Sequence, residues 1–186
     1  MLKLDMKKIA IIIPCYNEAA ALPYFLREIR KVADQMSATK PLSFEFLFVN
    51  DGSKDQTLDI LREAAKQDKR VRYISFSRNF GKEAAIYAGF QKATGDFITV
   101  IDADLQQRPE TVARMVKILQ DNEEFDCVAA YQEKRQEGKL VSKLKDMFYK
   151  IINRTSEIEF FPGASDFRTF RRPVVDAVLS LPEYHR

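Results

Sequence analysis

Histidine is all but missing from this chain: His185, next to the C-terminal residue, is the only one among 186 residues. A histidine-based zinc site and a Ser-His-Asp triad are therefore excluded. Cysteine is nearly as scarce. Cys15 and Cys127 both fall in apolar, strand-like segments, so no disulfide framework is indicated and both are expected as reduced core residues. No window approaches the roughly 18 consecutive apolar residues of a membrane-spanning helix. No glycine-rich loop follows the first strand-like run, which argues against a nucleotidyltransferase. Internal repeats and low-complexity linkers are absent too. A formal charge of +3 is too mild for a general nucleic-acid signature. At the N-terminus, MLKLDMKKIAIIIP puts lysines before an apolar run, but the run is short, breaks at Pro14 and has no small-residue cleavage pattern. As written, the chain reads as soluble and cytoplasmic.

What is present is a globular composition, 46% hydrophobic and 31% charged, in a length that suits one ordinary domain with a real core. Strand and helix patterns alternate. The spacing predicts strands at Lys8–Pro14, Phe44–Asn50, Val71–Phe76, Phe97–Ile101 and Asp126–Ala130. Between them it predicts helices at Ala19–Gln35, Thr57–Gln67, Lys82–Ala93 and Pro109–Asp121. In the first helix Leu22, Phe25, Leu26 and Ile29 share one face. Such alternation predicts βαβ units, that is, an α/β fold with a mainly parallel sheet and helices on both faces. The near-continuous apolar character of the strands fits burial on both sides. Most phenylalanines and tyrosines, at strand or helix spacing, are expected in the core. Beyond Ala130 the pattern is less regular: an amphipathic basic stretch at 139–154, a loop around Phe160–Gly163, then SDFRTFRR and a short helix near Pro173.

The segment FITVIDADLQQRPE, Phe97 to Glu110, carries the most chemistry. Side chains two apart in an extended chain point the same way, so Asp102 and Asp104 are expected to converge at the carboxyl end of a buried strand. Two like charges so close are costly without a cation. Hard oxygen ligands favour Mg²⁺ or Mn²⁺, and Mg²⁺ commonly takes one or two carboxylates plus substrate phosphates. Two further strand ends carry polar clusters, Pro14-Cys15-Tyr16-Asn17-Glu18 and Asn50-Asp51-Gly52-Ser53. Each alone is ordinary turn chemistry; together they line the ligand-binding edge of an open parallel sheet. Asp51 suits the imide N–H of a nucleobase, Glu18 a ribose or base donor, and Tyr16 offers an aromatic surface. Arg78-Asn79-Phe80-Gly81-Lys82 marks a strand-to-helix turn, with Gly81 allowing close packing and Arg78 or Lys82 available to an anion.

In this order, IAIIIPCYNE, FVNDGSKDQT, SRNFGKEAAIYAGF, DADLQQRPE and GASDFRTFRR resemble the family 2 glycosyltransferases with the GT-A fold. The likeness is greatest to the branch that glycosylates polyprenyl phosphates, such as dolichyl-phosphate mannose synthase and the bactoprenol glucosyltransferases. It spans nearly the whole chain. The resemblance implies nucleotide contacts from Pro14, Tyr16, Glu18, Asp51 and Asp102, and metal and diphosphate contacts from Asp102, Asp104 and Gln106. Asn50 stands where members often have Asp, and Gln107-Arg108 where they often have His-Pro. Asp166 matches the catalytic-base candidate; read from the residues alone, it serves equally as a cap or a partner for Arg168 or Arg171. Arg135 is the preferred phosphate ligand in the less regular third. Lys139, Lys143 and Lys145 fit either a phosphate grip or a solvated helix face, and that basic amphipathic stretch also suits an anionic membrane surface.

The resemblance implies a nucleotide-diphospho-sugar donor, by its bacterial likeness a UDP-sugar, and a polyprenyl-phosphate acceptor such as undecaprenyl phosphate. Transfer would be metal-dependent and inverting, at the cytoplasmic face of a membrane. Residues 1–106 form the expected donor half and 107–186 the acceptor half. Branch members usually continue past the equivalent of Tyr184-His185-Arg186 into membrane helices, so a longer protein is expected. A saccharide or other hydroxyl acceptor, with Asp166 as a required base, and a non-catalytic nucleotide-sugar-binding module are the alternatives.

Overall fold

The computed structural model describes residues 6–131 and 164–181. Four strands, β1 (Lys7–Cys15), β2 (Leu42–Asn50), β3 (Val71–Ser75) and β4 (Phe97–Val100), run parallel. A fifth, β5 (Cys127–Tyr131), and a sixth, β6 (Ala164–Arg171), complete a sheet in the order β3-β2-β1-β4-β6-β5. β6 is antiparallel to both neighbours. The helices are α1 (Leu22–Thr39), α2 (Thr57–Gln67), α3 (Lys82–Lys92), α4 (Glu110–Asp121) and α5 (Arg172–Ser180).

Alternation along the strands divides the core into two layers. Ile9, Ile11, Ile13, Phe46 and Phe48 face α1, α2 and α4, whereas Ala10, Ile12, Leu47, Val49 and Ile98 face α3 and α5. Both faces are buried, as the unbroken apolar strands require. The expected face of α1 is the one that packs inward, with Leu22, Phe25, Leu26 and Ile29 all buried. Among the described residues no helix is long and apolar enough to cross a membrane.

Three expectations need correction. β6 was not expected as a strand, because Arg168 interrupts its apolar pattern. Its sign was the two-residue alternation that buries Phe167 and Thr169, and it is held between β4 and β5 with the Thr99 and Thr169 hydroxyls bonded at 2.8 Å. Cys15 is buried, but Cys127 is exposed, since β5 is the edge of the sheet. The strand phenylalanines are core, whereas Tyr16, Tyr24, Tyr73 and Tyr131 are exposed. The helix expected at 139–154 and the loop at Phe160–Gly163 lie outside the described residues.

The β6–α5 junction locks the layers together. Arg171 donates to the carbonyls of Leu119, Asn122 and Phe125 in the last turn of α4 and just beyond it. Its neighbour Arg172 donates to the Ala93 and Gly95 carbonyls beyond α3. Cations at helix C-termini satisfy orphan carbonyls and suit the helix dipole.

Candidate active site

The chain leaves β1 towards β2 and β3 on one side, then returns to β4 on the other. The loops beyond β1 and β4 therefore part at a topological switch point, where open parallel sheets form a crevice. A cavity of about 260 Å³ lies there, and its walls include Pro14, Tyr16, Glu18, Asp51, Asp102 and Asp104. Six residues chosen from sequence thus share one cavity. Gln106 stands on the other side of the aspartates, in a second cavity of about 450 Å³ between α4 and β5 that Asp102 and Asp104 also border.

The first wall is a cross-braced pair of turns. Asn17 takes a left-handed conformation, φ 56°, which a short polar side chain tolerates. Its amide donates to Ser53 Oγ at 2.9 Å, and its side-chain oxygen accepts from the Lys54 amide at 2.9 Å. The Glu18 amide donates to Thr57 Oγ1 at 2.8 Å and the Ala19 amide to Asp55 at 3.0 Å. Asn17, Ser53, Asp55 and Thr57 were missed as site residues because their work is to hold the loops, and turn-forming types are common everywhere.

Asp51 is 3% exposed. Its two carboxylate oxygens accept from the amides of Phe80 at 2.7 Å and Gly81 at 2.9 Å. This carboxylate clamps the β3–α3 loop while lining the cavity; each oxygen keeps further lone-pair capacity. Gly52 makes the approach feasible. At φ 65° its backbone is left-handed, and an added Cβ would lie 2.2 Å from the Arg78 carbonyl carbon. Gly81 is different. Its φ is 98°, yet a Cβ there meets nothing within 4 Å, so its role is conformational rather than the expected close packing.

Asp102 and Asp104 converge as expected, but not by strand alternation. β4 ends at Val100, and the aspartates occupy a tight turn in which Leu105 has φ 61°. Ala103 points into the core between them, 2% exposed. The Gln106 amide donates to Asp104 Oδ1 at 3.0 Å. Gln107 grips Asp102 twice, accepting from its amide and donating to Oδ2, both at 3.1 Å.

Lys82 completes the cluster. Its ammonium lies 2.8 Å and 2.9 Å from the two oxygens of Asp102 and 3.1 Å from Asp166. Burial alone would lower its pKa, but the two carboxylates outweigh it and hold the value above that of an ordinary lysine. Asp166 projects from β6 with half its side chain exposed. Asp166, expected as a catalytic residue, a cap or an arginine partner, makes an ion pair to Lys82. Glu18 is raised above its ordinary pKa, first by burial and then by Asp104, Asp102 and Asp55, which reports the negative potential of the cavity. Burial, with Glu18 and Asp102 adding to it, also pushes the Cys15 thiol up, so it is no thiolate nucleophile.

The donor set fits a hard divalent cation. Carboxylate oxygens from Asp102 and Asp104 and an amide oxygen from Gln106 suit Mg²⁺ or Mn²⁺. Among the described residues no three of His, Cys, Asp or Glu are grouped to enclose an ion. Mg²⁺ commonly takes one or two carboxylates and completes its shell from substrate phosphate and water. Arg135, Lys139, Lys143 and Lys145 lie outside the described residues.

Comparison with known proteins gives the family and the fold. Glycosyl transferase family 2 matches residues 10–179. A bactoprenol glucosyl transferase of Shigella phage SfX is 36% identical over 176 residues, covering 95% of this chain and 56% of its own. The prophage bactoprenol glucosyl transferase homolog of Escherichia coli K12 gives the same values. The chain spans about half the length of the curated relatives it matches. Two solved structures share the fold. A Pyrobaculum calidifontis mannosyltransferase in complex with GDP-mannose and Mn²⁺ has a TM-score of 0.64 at 21% identity, over 95% of this chain and 48% of that one. Mycobacterium tuberculosis glucosyl-3-phosphoglycerate synthase with Mn²⁺, UDP-glucose and phosphoglyceric acid has a TM-score of 0.65 at 19% identity, over 90% and 57%.

Proposed function

The chain belongs to glycosyl transferase family 2, with the GT-A fold, and we propose that it transfers a sugar from a nucleotide-diphospho-sugar to a polyprenyl phosphate. The observation that carries this reading is the cavity at the switch point, where Pro14, Tyr16, Glu18 and Asp51 meet Asp102 and Asp104. The bactoprenol glucosyl transferase relatives support the acceptor, and a UDP-sugar is our reading of the donor. Tyr16 and Asp51 hold the base, Glu18 the ribose, and Pro14 the floor between them. Asp102 and Asp104, with Gln106, would hold Mg²⁺ or Mn²⁺. When bound, the ion supplies Lewis-acid neutralisation of the diphosphate charge. Residues 1–106 serve the donor and residues 107–186 the acceptor.

The acceptor enters through the second cavity. Its walls combine the cations Arg108 and Arg114 with apolar Met115, Ile118 and Val128, a mixture suited to a phosphate joined to a lipid. An acceptor phosphate oxygen bonds to C1 of the sugar, the C1–oxygen bond to the diphosphate breaks, and its electron pair leaves with the nucleoside diphosphate. Attack from the opposite face inverts the anomeric centre. A phosphate monoester is largely a dianion at neutral pH, so little deprotonation is needed. Asp166, already engaged by Lys82, orients the acceptor and steadies positive charge on the sugar. A lipid-phosphate acceptor used with a nucleotide-sugar donor fits a reaction at the cytoplasmic face of a membrane.

The test is incubation of the protein with UDP-glucose and Mg²⁺ or Mn²⁺, offering undecaprenyl phosphate in detergent or an alkyl glucoside. Glucosylated undecaprenyl phosphate formed with equal release of UDP is expected. Transfer to the hydroxyl acceptor alone would overturn the acceptor assignment.

A further inference from the structure

Lys82 is the single cation among the described residues that line the donor cavity, against the carboxylates of Glu18, Asp51, Asp102 and Asp104. We propose that Lys82 is a built-in counter-cation that ties Asp102 to Asp166 and competes with the divalent metal for Asp102. This rests on the reading of Asp102 and Asp104 as the metal-holding pair.

The placement is informative because local rules disfavour it. Lys82 is the first residue of α3, where the helix dipole repels a cation. The ammonium is also partly withdrawn from water, at a cost in desolvation. Among the described residues, Asp102 and Asp166 are the partners that offset both penalties. The position is also enforced. Asp51 fixes the Phe80 and Gly81 amides, and Lys82 follows directly, so its side chain leaves a clamped loop towards β4 and β6. Both oxygens of Asp102 are engaged by the ammonium at 2.8 Å and 2.9 Å, and Gln107 takes Oδ2 as well.

Were Asp102 to hold a divalent ion, the Lys82 ammonium would withdraw from that carboxylate, and its remaining tie would be to Asp166 on β6. Lys82 thereby couples the donor-side carboxylate to the acceptor-side one, and is a positioning residue rather than a structural anchor. A merely structural lysine would, if removed, loosen the site and weaken metal binding. A competing one would, if removed, strengthen it.

The experiment is titration of the protein with Mn²⁺ alone, without nucleotide, read by the loss of the free-ion electron paramagnetic resonance signal. Lys82→Met should bind Mn²⁺ about fivefold more tightly than wild type, the scale of one unit-charge contact in a solvated site. Lys82→Gln should do the same, and serves if the methionine variant is unfolded by circular dichroism. Lys82→Arg should stay near wild type. Unchanged or weaker binding in folded Lys82→Met and Lys82→Gln, with wild type still binding, would overturn the proposal and leave the metal site standing. Absence of Mn²⁺ binding in wild type and in every variant would overturn the proposal, while the metal-held diphosphate is tested separately with UDP present.

Discussion

Asp51→Asn separates two duties of one carboxylate. In the native protein both oxygens accept backbone amides, at 2.7 Å and 2.9 Å, in a site 3% exposed. Asparagine keeps one acceptor and turns an NH₂ group towards the other amide. Losing a hydrogen bond to a charged group removes about 1.5–3 kcal/mol, and an orphaned buried donor costs about 1–3 kcal/mol more. Relief from burying a charge offsets part of this, leaving a net loss of about 2 kcal/mol. For a chain of this size that lowers Tm by about 4–8 °C. Urea unfolding followed by circular dichroism reads it as a lower midpoint at unchanged slope. Asp104→Asn, exposed on its loop, should move stability by less than about 0.5 kcal/mol. If Asp51→Asn unfolds at the wild-type midpoint, the clamp carries no stability and the reasoning fails, whatever happens to nucleotide binding.

Gly52→Ala should cost about 2–4 kcal/mol, because an added Cβ meets Arg78 and Asn79 backbone atoms at 2.2–2.6 Å in a left-handed turn; Gly81→Ala, with open space around it, should cost less in the same thermal melts. Glu45 is 2% exposed. Burial would raise its pKa, but Thr94, Arg72 and Lys8 together hold it below the ordinary value. Its stabilisation is therefore present above the unfolded glutamate pKa and lost as pH falls through the folded one; Glu45→Gln should flatten the acid limb of a stability-pH curve. Glu18 is shifted the other way, so its ionised form destabilises the folded chain. Glu18→Gln should raise Tm at neutral pH, a gain that fades on acidification, while weakening UDP binding in a parallel titration.

Much of this was legible in the sequence because each signal was local. The unbroken apolar run Ile9–Ile13 and the spacing of Leu22, Phe25, Leu26 and Ile29 dictate a doubly covered sheet and one helix face. Polar residues just beyond three parallel strands must meet, so Tyr16, Asp51 and Asp102 were found together. What escaped depends on contacts between distant segments. β6 exists because β4 and β5 offer it partners, not because SDFRTFR is strongly strand-like. Lys82 was read as a cation available to an anion at a helix start; only the fold brings it to Asp102, 20 residues away, and to Asp166, 84 away. Gln107, noted as a departure from the common family pattern, proves to hold Asp102 from both sides.

The most direct measurement is calorimetric titration of UDP into wild type and Asp104→Ala, each with Mn²⁺ and with chelator. Binding that requires Mn²⁺ in wild type and disappears in Asp104→Ala is predicted. Equal affinity with and without the metal, or undiminished binding by Asp104→Ala, would contradict the assignment of this carboxylate pair to a metal-held diphosphate.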